Sequence, residues 1–97
     1  MSYKNVYPKT IESAAEIVID ALSKEDLAII KKMDEKYVNG INMSLGDEIQ
    51  HSMGLQDGNK ELLKSCGSEE MHPDDASAAI VKFLWLKLRY EIWKSQS

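Results

Sequence analysis

The sequence is poor in the residues that most often announce a function. It contains one cysteine, two prolines and one phenylalanine in 97 residues. The lone Cys66 excludes an internal disulfide and any cysteine-rich zinc site. A run of about 18 apolar residues, enough to cross a bilayer, is also missing, so no membrane partner is expected. The start Met1-Ser2-Tyr3-Lys4-Asn5 lacks the apolar stretch of a secretory signal, which makes the cytoplasm the expected compartment. Period-two alternation, internal repeats and low-complexity tracts are absent, and with them the case for strands or linked domains. Basic excess is lacking too: 16 acidic residues against 12 basic ones give a net charge of −4, which argues against nucleic acid as the main partner. What the chain does have is 43% hydrophobic residues, enough for one core in a single domain spanning 1–97.

The apolar residues recur at helical spacing. Ile11, Ala14, Ala15, Val18 and Leu22 follow the cap candidate Thr10 and predict a helix over 11–22. Ser23-Lys24-Glu25-Asp26 resembles a capping box, and Leu27, Ile30, Met33 and Tyr37 then predict a second helix over 24–38, stopped by Asn39-Gly40. Ser44-Leu45-Gly46-Asp47 repeats the capping pattern, predicting a short helix over 45–53 closed by Gly54-Leu55. One or two turns carrying Leu62, Leu63 and Cys66 precede Gly67. Pro73, followed by Asp74 and Asp75, opens the last and longest helix, expected over 73–94 with Ala76, Ala79, Ile80, Phe83, Leu84 and Tyr90 on its broad face. The fold expected is therefore all-α, a small bundle of four to five helices with a long C-terminal helix.

Few residues form a constellation with chemistry in it. His51 shares a helix face with Asp47, and His72 neighbours Asp74 and Asp75, yet no third ligand repeats at metal-site spacing. The plainer reading is an exposed His51 and a His72 that caps a helix or anchors a loop. Cys66 sits at a helix C-terminus, where the dipole disfavours a thiolate, so a packed thiol is expected rather than a nucleophile. Asp74 and Asp75 point about 100° apart on a helix and do not converge as an acid–base pair. No catalytic residue, metal site or cofactor is expected. On the last helix Lys82, Trp85, Leu86, Arg89 and Trp93 fall on one side, either as an interface or as cationic stems covering indole rings at the edge of the core; the second is the preferred reading.

Charge distribution says more. Residues 1–43 carry −1, residues 44–75 carry −6 and residues 76–97 carry +3. Within the acidic third, Glu48, Asp57, Glu61, Glu69 and Glu70 stand in or beside turns and short helices, and only Lys60 and Lys64 oppose them. Solvated surface is one account of that segment. A landing patch for a basic protein is the other, and it makes these five carboxylates the candidate partner-binding residues.

Ser44-Leu45-Gly46-Asp47-Glu48-Ile49, Gly54-Leu55, Leu62 and His72-Pro73-Asp74-Asp75-Ala76-Ser77 with Ile80 occur in an order and spacing that resemble a family of short bacterial helical proteins of unknown function. The resemblance covers most of residues 7–88. It implies a helical fold and a bacterial origin. A small, acidic, helical bacterial protein of this sort is also similar to many immunity proteins, which bind and block a toxin domain. The expected function is thus non-enzymatic binding, with an immunity protein acting on a basic toxin such as a nuclease as the leading form. A small regulatory or adaptor subunit docking through its Trp-containing last helix is the alternative.

Overall fold

A computed structural model describes residues 7–96, with side chains as far as Tyr90. The elements are α1 (Ile11–Ala21), α2 (Lys24–Lys32), a 3-10 turn at Glu35–Tyr37, α3 (Val38–Ser52), α4 (Lys60–Cys66) and α5 (Pro73–Gln96). No strand occurs among the described residues, and the all-α expectation holds.

Local chemistry sets most of the boundaries. Thr10 Oγ1 accepts from the Ser13 amide at 3.1 Å, Ser23 Oγ from Asp26 at 3.1 Å, and Asn59 Oδ1 from Leu62 at 3.4 Å, so three helices open on side-chain caps. Helix α3 closes at Gly54, whose φ of +69° is a left-handed conformation that glycine adopts without penalty. The Leu55 amide then reaches back to the Gln50 carbonyl at 3.1 Å, and the Leu55 side chain is buried beneath the turn.

The middle of the chain differs from the expected boundaries. Helix α2 ends at Lys32 rather than at 38, and α3 starts at Val38 and runs straight through Asn39, Gly40 and the supposed cap Ser44. Ser44 instead donates its hydroxyl to the Gly40 carbonyl at 3.3 Å, one turn back inside the helix. Magnitudes explain the outcome. An interior glycine costs about 1 kcal/mol relative to alanine, whereas burying each of Val38, Ile41 and Ile49 returns roughly 1.5–3 kcal/mol. The chain leaves the helix earlier, at Met33, whose backbone is extended and whose freed carbonyl accepts from the Trp85 indole N–H at 2.8 Å. Tyr37, expected on a buried face, is consequently exposed.

Helix α5 is the hub, touching α1, α2, α3 and α4. Its Ala76, Ile80, Val81 and Leu84 are fully buried, with Trp85 and Leu88 nearly so. Phe83, expected at the centre, is only half-buried against the core, and Tyr90 is exposed rather than packed. The buried stripe is therefore rotated from the expected one, so that Val81, Trp85 and Leu88 share the centre with Ile80 and Leu84.

Candidate functional site

The five candidate carboxylates all stand exposed. Glu48 lies on α3, Asp57 in the turn between α3 and α4, Glu61 in the first turn of α4, and Glu69 and Glu70 in the link from α4 to α5. Asp57 and Glu61 gather at one end of α4, while Glu69 and Glu70 lie beyond its other end, roughly 10 Å away along the helix. Glu48 stands apart, on the edge of a groove between α1 and α3. Glu61 has Lys9 at 3.9 Å; the other four form no ion pair among the described residues.

The cations of α5 whose side chains are described, Lys82, Lys87 and Arg89, have partners outside that segment. Lys82 Nζ is 3.0 Å from Glu35, and Lys87 Nζ is 3.9 Å from Glu16. Arg89 lays its guanidinium 4.9 Å from the centre of the Trp85 ring and donates to the Met33 carbonyl at 3.4 Å. Trp85 itself is 6% exposed, which makes it core with a cationic cover rather than an interface residue. The Trp93 side chain lies outside the described residues.

A buried polar cluster, not anticipated from sequence, joins α3 to the start of α5. Gln50 Nε2 donates to Asp74 Oδ1 at 2.7 Å and to Ser77 Oγ at 3.2 Å, while its Oε1 accepts from Gln56 at 2.7 Å. Ser77 Oγ has Asn42 Oδ1 at 2.8 Å and the Asp74 carbonyl at 3.0 Å as acceptors for its one proton. Gly46 lets these groups meet, because a Cβ there would stand 2.7 Å from Asn42 Oδ1. Among the described residues no buried side-chain polar atom is left without a partner. A network whose buried atoms are all satisfied fastens helices together. One signal for it was present in the sequence: Asn42, Gly46 and Gln50 recur every four residues, on one face once α3 is recognised as continuous.

His72 caps α5, its Nδ1 accepting from the Asp74 amide at 3.0 Å and its carbonyl from Ala76 at 3.0 Å. His51 is exposed. No group of three His, Cys, Asp or Glu among the described residues is arranged to hold a metal ion. Burial pushes the Cys66 thiol from 9.0 up to about 11, the reverse of what a nucleophile needs.

Residues 7–88 match the model of a family described as Domain of unknown function (DUF6794). The chain belongs to that family. No curated protein and no solved structure matches it. The matched span of this DUF6794 domain takes in every core helix from α1 to Leu88 of α5, together with the polar cluster and all five candidate carboxylates. No helix among its described residues is long and apolar enough to cross a membrane.

Proposed function

We propose that this DUF6794 domain is a non-enzymatic protein-binding module, and specifically a bacterial immunity protein that holds a basic toxin domain, such as a nuclease, in the cytoplasm. The observation that carries the reading is the uncompensated charge of residues 44–75. Glu48, Asp57, Glu69 and Glu70 are exposed without an ion pair among the described residues, while Lys82 and Lys87 pair with Glu35 and Glu16 outside that segment. Carboxylates left in this state raise the encounter rate with a cationic surface and lose their water cheaply only when a cation replaces it. Asp57, Glu69 and Glu70 lie in turns and links at the two ends of the short helix α4, and Glu48 stands on the longer α3; the turn positions suit a binding face carried by a packed scaffold.

The adaptor reading through α5 is favoured by the exposure of Leu86 and Tyr90. It loses Trp85, which is spent in the core.

Affinity capture from the source cell, with mass spectrometry of what is retained, tests the reading when the wild-type chain is compared with Glu69→Lys/Glu70→Lys. These residues lie in an exposed link, so the reversed chain keeps its fold. A basic protein held by the wild type and lost from the reversed variant supports the proposal. A partner held equally by both, and lost on Leu86→Ser/Tyr90→Ser, replaces it with the adaptor reading.

A further inference from the structure

Three helices leave an apolar groove open to solvent. Two adjoining hollows, of about 190 and 220 Å³, share Leu22 and Leu45 as a common wall. Val18, Ile49 and Met53 continue the first hollow, and Ile30, Met33 and Ile41 the second. Ile17 on α1 and Ile29 on α2 stand at their edges, 48% and 59% exposed. Each hollow is smaller than the usual small-molecule site of about 300–1,000 Å³, and both are open. That shape accepts a row of side chains rather than a compact ligand.

Both charged residues on the rim are acidic. The charged residues lining the two hollows are Glu48 of α3 and Asp26 of α2. Asp20 of α1 lines a separate depression that shares Ile17 with the first hollow. None of the three forms an ion pair among the described residues. The single cation in that depression, Lys9, already has Glu61 beside it.

We propose that this groove docks an amphipathic helix of the protein partner, with apolar side chains entering the hollows and lysines or arginines meeting Asp20, Asp26 and Glu48. The proposal rests on the protein-binding reading above and gives it a second contact surface. Backbone chemistry selects a helix: the walls are helices whose amides and carbonyls are paired internally, so an extended peptide finds no sheet edge to extend. Charge selects a basic one. A second copy of this chain is disfavoured, because a two-fold pairing would set the same three carboxylates against each other in a molecule of net charge −4.

The probe is a fluorescein-labelled synthetic amphipathic peptide, with leucines spaced three and four apart on one face and lysines on the other. Its counterpart carries glutamates in place of the lysines. Fluorescence anisotropy at about 0.15 M salt, where screening confines charge effects to roughly 8 Å, is expected to show the lysine peptide binding at least about tenfold more tightly than the glutamate peptide. Ile17→Ser/Ile29→Ser removes two exposed contacts without touching the core and is expected to weaken the lysine peptide about tenfold, with an unchanged helical spectrum. Asp26→Asn/Glu48→Gln is expected to weaken it about fivefold and flatten its salt dependence. Equal binding of the two peptides, no binding of either, or indifference to Ile17→Ser/Ile29→Ser overturns the groove proposal. A dimer in sedimentation that the same double variant dissolves also overturns it, giving the groove to a second copy. If the peptide result is negative while capture of the natural partner still depends on Glu69 and Glu70, the groove falls and the binding reading stands; loss of both takes down the two together.

Discussion

The acidic middle of the chain and its cationic last helix carry opposite charge, yet the ion pairs described on that helix lead to the first 43 residues. Helix α5 sends Lys82 and Lys87 to Glu35 and Glu16, in the first 43 residues, and folds Arg89 over Trp85. Residues 44–75 meet α5 through an uncharged donor instead: the Gln50 amide donates to Ser77 Oγ in the interior and to the carboxylate of Asp74 in the first turn of α5. The contrast separates two uses of charge in one small domain. Cations on α5 pair with acids of α1 and of the 3-10 turn, whereas Glu48, Asp57, Glu69 and Glu70 of the middle segment face solvent. Of the acids in that segment, which carries −6 over 32 residues, Asp74 bonds Gln50 and Glu61 has Lys9 beside it, whereas Glu48, Asp57, Glu69 and Glu70 form no ion pair among the described residues.

The largest expected effect tests the hub side of that contrast. Leu84→Ala, at a fully buried site, is expected to cost about 2–5 kcal/mol in denaturant unfolding, with half-buried Phe83→Ala costing distinctly less. A larger loss at Phe83 would mean that the stripe of α5 facing the core has been misassigned. Gln50→Ala strips partners from Gln56, Asp74 and Ser77 at once and is expected to cost about 1–3 kcal/mol; a neutral result would show that the polar seam between α3 and α5 is dispensable.

Cys66 gives a smaller, pH-dependent effect. Its thiol is raised from 9.0 to about 11 in the folded chain, so the unfolded chain ionises first as pH rises. The contribution is fully present below pH 9.0, declines as the unfolded thiolate forms, and is gone above about 11. Cys66→Ala is expected to remove that component of the alkaline decline, and maleimide labelling of the folded wild type at neutral pH is expected to be slow. An unaltered alkaline profile in the variant would contradict it. The smallest effect belongs to the acidic side: Glu69→Lys/Glu70→Lys is expected to shift stability by no more than about 0.5 kcal/mol. A larger loss would show that the link supports the fold and would close the gap between the two regions.

Much of this was legible in the sequence, for identifiable reasons. The caps at Thr10 and Ser23, the Gly54-Leu55 closure and the Pro73 start are local chemistry, and all stand where the residues place them. The continuous α3 was not legible, because Asn39-Gly40 and Ser44-x-x-Asp47 carry genuine stop and start signals that tertiary burial of Val38, Ile41 and Ile49 overrides. The carbonyl left free by the break at Met33 is satisfied by an indole 52 residues away, a partner that no local pattern records. For the candidate site, exposure of Asp57, Glu61, Glu69 and Glu70 followed from their turn-rich surroundings, whereas Glu48, expected on a short helix, stands on the solvent side of the longer α3. Their division into two ends of α4 and a separate groove edge, and the joining of Asp20 and Asp26 to Glu48, required the three-dimensional arrangement.

The central claim, that residues 44–75 form an electrostatic binding face, is tested most directly by stopped-flow association with the captured partner over a series of ionic strengths. The wild-type rate constant is expected to fall steeply as salt rises, and Glu69→Lys/Glu70→Lys is expected to be several-fold slower at low salt with a flatter dependence. Equal rates for the two chains at low ionic strength would contradict the account.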